Sequence, residues 1–361
     1  MANVPSLDEF PIEAVVGQLA GAEVGRGGAP GYPRLIPFFG SGASASAKGV
    51  RSPPDLDNTT PIQAFPKARE LAIMLAKLAN PKAKEFSEAF DLQKSAQYVE
   101  VNLQRTDLRA KLQKVFRSSD PRPQSALHDA VVSLSPNIFF TTNYDTLVED
   151  ALKRRGADYV VVVEVIDGCG RDGYKSLTSG VPKLSPKDLL FFDCRAGGVD
   201  IEPRVLGRDS FNPDDFLAKN CSIVYKMHGS VCTNAELSQF LISDSDYVNF
   251  MLSRGNAMLP RMIGKYASIR GFLFLGYSLR DWNFRLLFAK LADQETVKGR
   301  ERRKIKSYAV MLNSSQMDQD IWKHCSVNIY SGELEAFGTL LANEAEAQLR
   351  SGYRAWHDTN A

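Results

Sequence analysis

The chain reads as an α/β protein built on a doubly wound, parallel sheet that carries a helical insertion. Three observations lead there. Short apolar runs (LIPFF, IFF, SIVY and GFLFL) are continuous rather than alternating, as strands covered on both faces are. Each run stops at glycine or small polar residues: Gly40-Ser41-Gly42, Thr141-Thr142-Asn143, His228-Gly229-Ser230 and Gly276-Tyr277-Ser278. Helical periodicity fills the intervals between them, as crossover connections of a parallel sheet require. Ligands of open α/β sheets bind outside the carboxyl ends of the strands. Four such ends describe one rim of a Rossmann-like nucleotide site.

Composition narrows the class. The 361 residues are enough for one large domain with an insertion, and 44% hydrophobic content supports a full core. Net charge is +2, from 44 basic and 42 acidic residues, so no global field favours direct nucleic-acid binding. No apolar run approaches the ~18 residues of a membrane span. The amino terminus, MANVPSLDEFP, lacks the basic and apolar regions of a secretory signal. Five cysteines without CxxC spacing argue against a zinc site or a disulfide framework, and they fit a reducing cytoplasm.

In chain order, residues 8–20 can form a short amphipathic helix, with Phe10, Ile12, Val15, Val16 and Leu19 available for one face. With the Gly-rich link that follows, residues 1–30 form an arm that packs on its own domain or on a neighbouring subunit. The sheet domain spans 31–350. Its first strand ends in the Gly/Ser turn 40–44, which approaches a pyrophosphate or is an ordinary turn, and which lacks the third glycine of GxGxxG. A Pro-rich loop, 48–66, is long enough to cover the site. Helical patterns such as Leu71, Met74, Leu75 and Leu78 mark an insert over about 60–130. The stretch IFFTTNYDTLVEDAL, 138–152, is a strand running directly into a helix. The β-branched run YVVVVEV, 159–165, is a further buried strand, and 167–221 is an irregular insert of short strands and loops. Residues 235–268 read as mostly helical. Asp281 suits a helix N-cap without excluding a ligand contact, and KSYAVMLNSS gives a last buried strand ending at Asn313.

Taken in order, these strand ends resemble the sirtuin superfamily. GSGAS (40–44) is similar to that family's GAGxS loop, TTNYD (141–145) to TQNxD, MHG (227–229) to the HG motif and GYS (276–278) to GTS. Asn313 and SGELEAFGTLL (331–341) match the adenosine-side elements. The chain departs from the protein deacylases: no pair of CxxC motifs follows MHG, and no IPDFR-type sequence follows GSGAS. The wording TTNYD and GYSLRDWN resembles the zinc-free, sirtuin-like NAD hydrolases of bacterial antiphage defence. The resemblance implies NAD as substrate, no metal, and a sensor partner such as a HerA-type ATPase or a short Argonaute; because such a hydrolase would be toxic if always on, a homo-oligomer whose assembly or partner gates the site is expected. It also implies roles for single residues. Asn143 and His228 would be catalytic, with Asp145 orienting them or capping the next helix. Gly40, Ser41, Gly42, Ser44, Thr142, Gly276, Ser278, Asp281 and Asn313 would hold the dinucleotide.

The chemistry expected of such a site is cleavage between nicotinamide and C1 of its ribose. The centre becomes oxocarbenium-like, as in glycoside hydrolysis. The leaving group departs neutral, so no general acid is required. A side-chain amide can bind ribose hydroxyls and water, and an imidazole can accept a proton from either. Two alternatives stand beside the hydrolase: a zinc-free protein deacylase, and an NAD- or ADP-ribose-binding regulatory subunit.

Overall fold

A computed structural model describes residues 4–21, 33–47, 65–116 apart from 86, 123–166, 184–195, 202–254, 258–279, 285, 288, 306–312 and 314–350. Asp281 and Asn313, proposed from the sequence as ligand contacts, lie outside the described residues.

The strands are β1 (Leu35–Phe39), β2 (Ile138–Thr141), β3 (Tyr159–Glu164), β4 (Asp188–Asp193), β5 (Arg204–Gly207), β6 (Ser222–Lys226), β7 (Gly229–Ser230), β8 (Gln239–Phe240), β9 (Gly271–Leu275), β10 (Ser307–Met311) and β11 (Val327–Ser331). Nine of them form one sheet in the order β11-β10-β9-β1-β2-β6-β3-β4-β5, and β7 and β8 form a separate small ribbon. All pairings from β11 across to β3 are parallel, with Phe38 opposite both Phe140 and Phe274. Two antiparallel pairings, β3 with β4 and β4 with β5, extend the edge. The irregular insert therefore does not stand apart: its described part adds strands to the same sheet, with Leu189, Leu190 and Phe191 buried.

Alternation explains why the strands read as unbroken apolar runs. Along β3, Val160 and Val162 enter one core and Val161 and Val163 the other. Along β9, Phe272 and Phe274 face one way and Leu273 and Leu275 the other. Successive side chains of a strand point to opposite faces, and here both faces are covered. One cover is α1 (Ile12–Ala20), α6 (Ala126–Ser133), α7 (Leu147–Arg154) and α12 (Leu334–Arg350), through Val16, Leu19, Val131, Leu152 and Phe337. The opposite cover includes α8 (Asp214–Leu217), α9 (Asp244–Arg254), α10 (Arg261–Ser268) and α11 (Gln316–His324), through Leu217, Phe250, Ile263 and Trp322. Helix α1 of the amino-terminal arm thus packs on its own domain, where Phe10 stacks edge-on against Tyr330 and Phe337. Most of the described residues in 235–268 are helical, as the sequence reads, in α9, α10 and a short 3-10 turn at Ala235–Leu237. Gln239–Phe240 is instead strand, because it pairs with Gly229–Ser230.

Two further helical groups position the site. The short α2 (Ser41–Ala45) follows β1 at once. Helices α3 (Ala68–Ala79), α4 (Leu92–Asn102) and α5 (Arg105–Phe116) come from the insert and form a roof with its own core: Leu71, Leu75, Ala96, Val99, Leu108, Leu112 and Phe116. That core continues into Leu147, Phe240 and Ile242 of the sheet domain. Tyr98 packs against the alanines Ala76, Ala83 and Ala89 rather than the cleft. Arg105 pins the roof in place. Its guanidinium reaches Asp246 at 2.9 Å, Glu100 and the Phe240 carbonyl.

Candidate active site

The sheet order fixes where a site can form. From β1 the chain winds outward on one side to β2, β6 and β3, and on the other to β9, β10 and β11. The crossovers diverge at β1, and a crevice opens beyond the carboxyl ends of its strand group. A cavity of about 540 Å³ lies there. Its polar floor is Ser41, Ser44, Thr142, Asn143, Asp145, His228 and Ser278. Its apolar wall includes Phe65, Leu71, Leu92 and Phe116 of the insert, with Tyr144, Tyr247, Met251 and Tyr277. Seven of the residues singled out from the sequence therefore meet in one place.

The floor is organised by a chain of hydrogen bonds that starts at the end of β2. Thr141 Oγ1 donates to the Phe39 carbonyl at 3.0 Å and accepts the Asn143 amide at 2.9 Å, which turns the chain sharply after the strand. Asn143 Nδ2 then donates to the Gly40 carbonyl at 2.9 Å and to Ser44 Oγ at 2.8 Å. A carbonyl only accepts, so its contact sets the amide orientation, with the nitrogen toward Gly40 and Ser44. Ser44 Oγ donates in turn to Asp145 Oδ2 at 2.6 Å. The other oxygen, Asp145 Oδ1, accepts the amide of Leu147 at the start of α7, at 3.1 Å. Asp145 thus bonds both Ser44 and the first amide of α7. All three side chains are buried, and the arrangement leaves Asn143 little freedom to rotate.

His228 comes from the turn between β6 and β7. Its carbonyl accepts the Leu241 amide at 2.9 Å, and Tyr247 meets its ring edge-on, with centroids 5.9 Å apart. Gly229 follows at φ +91°, where a Cβ would stand 2.1 Å from the Gln239 carbonyl oxygen. That glycine is demanded by the β7–β8 ribbon rather than by room for a ligand.

Gly40, Gly42 and Gly276 are beside the cavity but do not line it. The Gly40 and Gly42 amides donate to the Leu275 and Gly276 carbonyls at 2.9 and 3.0 Å. At Gly276, with φ +65°, a Cβ would lie 2.4 Å from the Ala43 nitrogen. These glycines let the β1 and β9 loops interlock, and Ser41, Ser44 and Ser278 are what the loops present inward.

Sequence reasoning missed three contributors. The aromatic wall is one: Phe65 stacks on Phe116, which meets Tyr144 edge-on, and Tyr144 meets Phe240. The Tyr144 hydroxyl, which donates to the Leu241 carbonyl at 2.7 Å, is another. The third is the buried pair Lys226–Glu149, for which a lysine inside the apolar run SIVYKM was the available signal. Among the described residues no group of three or more His, Cys, Asp or Glu side chains is placed to hold a metal ion. No described helix is long and apolar enough to cross a membrane.

Fold and cavity together define an α/β protein with a cavity at the switch point of a parallel sheet. The family model of the SIR2-like domain matches residues 137–330, more than half of the chain, and the chain belongs to that family. The matched region holds Asn143, Asp145 and His228, while GSGAS and the roof lie before it. No curated protein matches the chain. Two solved structures span nearly its whole length at low identity. One, described as "Structural Basis for the Mechanism and Regulation of Sir2 Enzymes", has 12% identity over 95% of this chain and 99% of that one, with a TM-score of 0.35. The other, "The structure of Sir2Af2 bound to a myristoylated histone peptide", has 13% identity over 94% and 98%, with a TM-score of 0.33.

Proposed function

We propose that the protein is an NAD hydrolase that cleaves the nicotinamide–ribose bond to release nicotinamide and ADP-ribose. The observation that carries this reading is the fixed orientation of Asn143, whose two amide protons are held by Gly40 and Ser44. Its Oδ1 is the acceptor that would take a ribose hydroxyl or the attacking water. As the C1–N bond breaks, positive charge grows on the ribose and a fixed carbonyl dipole beside it is favourable. His228, on the same floor, is the group that accepts a proton from water or a ribose hydroxyl. Nicotinamide leaves neutral, so the apolar and aromatic wall receives it without a charged partner. Ser41, Thr142 and Ser278 offer hydroxyls to the rest of the dinucleotide, with Asp281 and Asn313 proposed to extend that contact. The low-dielectric roof holds bulk water away from the developing charge.

In this reading the chain is the NAD-depleting effector of a bacterial antiphage system, working in the cytoplasm as an oligomer gated by a sensor subunit. The wording of TTNYD and GYSLRDWN supports that setting. The test is nicotinamide and ADP-ribose release from NAD by the purified chain and any co-encoded partner, beside Asn143→Ala and His228→Ala. Turnover that both substitutions abolish while folding is retained supports the hydrolase. NAD binding without turnover, with every partner present, replaces it by a regulatory subunit.

A further inference from the structure

Beneath the floor of the cavity lies an ion pair that the chemistry above does not use. Lys226 ends β6, two residues before His228, and is completely buried. Its Nζ bonds Glu149 Oε1 at 2.8 Å and also donates to the backbone carbonyl of Asp145. Glu149 stands in the first turn of α7, directly after TTNYD. Its other oxygen, Oε2, is buried with no hydrogen-bond partner. Removing two charges from water is unfavourable, and replacing such a pair by apolar residues is often neutral or stabilising. Stability alone therefore gives a weak account of it.

The placement gives a better one. Lys226 belongs to the strand that delivers His228, while the carbonyl it holds belongs to the turn that delivers Asn143. The side chain of that same Asp145 orients Ser44 and, through it, Asn143. Backbone contacts run alongside: the Met227 amide donates to the Thr141 carbonyl at 2.9 Å and the Val231 amide to Tyr144 at 3.2 Å. We propose that Lys226, held by Glu149, is a positioning residue that keeps the Asn143 turn in register with the His228 loop. This rests on the reading of Asn143 and His228 as the reactive pair.

The test compares the full-length parent with Lys226→Met, Glu149→Gln and the double variant Lys226→Met/Glu149→Leu. Each is measured by urea denaturation, NAD cleavage and amide hydrogen exchange over 142–147. Lys226→Met strands Glu149 and is expected to lose stability, and the apolar pair is expected to regain it. The double variant should nevertheless lose at least about tenfold in kcat with KM changed by less than about threefold, the pattern of a defect in the transition state. Its amides at 142–147 should exchange faster. Parent-like kcat and protection in a stable double variant would reduce the pair to a structural one and overturn the proposal. Should the double variant not fold, Glu149→Gln decides. It retains an acceptor for Nζ, so it should stay within about threefold of parental kcat and keep protection at the turn. A loss as large as that of Lys226→Met would mean that the Asp145 contact is not what matters. A parent that neither binds nor cleaves NAD removes the assigned reaction, and the exchange comparison then decides the positioning role alone.

Discussion

Replacing Ser44 by alanine interrogates the hydrogen-bond chain that orients Asn143. The hydroxyl accepts from Asn143 Nδ2 at 2.8 Å and donates to Asp145 Oδ2 at 2.6 Å, with all three residues buried. Ser44→Ala removes both bonds in one step. A hydrogen bond to a charged group contributes about 1.5–3 kcal/mol and a neutral one about 1 kcal/mol. Water entering from the cavity can replace part of that, so the expected loss of stability is about 2 kcal/mol. The effect on chemistry is separate. Asn143 keeps Gly40 but is free to swing about that single contact. Losing about 1.4–2.8 kcal/mol of transition-state stabilisation lowers kcat/KM by roughly 10- to 100-fold. The assay is a double-mutant cycle of Ser44→Ala, Asp145→Asn and the pair, followed by urea denaturation and by NAD cleavage. If Ser44 and Asp145 act as one unit, the pair is hardly worse than the poorer single variant, and the coupling is about 1 kcal/mol or more. Strict additivity in both assays would refute the relay.

Three further outcomes follow from the geometry. His128 is buried against Phe39, with ring centroids 4.4 Å apart, and burial pushes its imidazole down to about 3 from 6.5. The unfolded chain takes up that proton near 6.5 and the folded chain does not. Stability therefore falls as pH drops below 6.5, by about 2 kcal/mol at pH 5, and His128→Phe should flatten that slope in urea titrations at pH 7 and 5; an unchanged slope would exclude His128 as its source. Gly276→Ala places a Cβ 2.4 Å from the Ala43 nitrogen, whereas Gly156→Ala at a similar φ of +70° meets nothing within 4 Å. Both should lower the melting temperature through left-handed strain of about 1–2 kcal/mol, but only Gly276→Ala should also abolish NAD cleavage by displacing Ser41 and Ser44. Arg105→Met unpins the roof from Asp246, so amides of α4 and α5 should exchange faster while those of β1, β2 and β9 keep their protection; uniform acceleration would mean that Arg105 supports the whole domain.

The sheet was legible because its strands are covered on both faces, which writes them as unbroken apolar runs ending in short polar turns. Asn143, His228, Ser41, Ser44 and Ser278 could be placed for the same reason, since each ends such a run. What sequence could not separate is a glycine that admits a ligand from one that admits another loop. Gly40, Gly42 and Gly276 look alike in either role, and the structure adds that they seat the β1 loop against the β9 loop. The insert read as short strands and loops, but nothing in its polar and Pro-rich sequence shows that β4 and β5 join the main sheet in antiparallel pairing. The roof was recognised as helical, but which of its side chains reach the cavity depends on how Arg105 and the shared apolar core seat it.

The position of β1 carries a consequence for synthesis. Among the described strands it comes first in the chain, yet it sits between β2 and β9, whose partners for Phe38 are Phe140 and Phe274. Ser44 waits 101 residues for Asp145, and the Gly40 amide waits until Leu275 has left the ribosome. Until then β1 has an open edge, and the loops that carry Ser41 and Ser44 have nothing to lock against. A growing chain cannot assemble the site piece by piece. The proposed NAD cleavage would thus be withheld until β9 closes the gap.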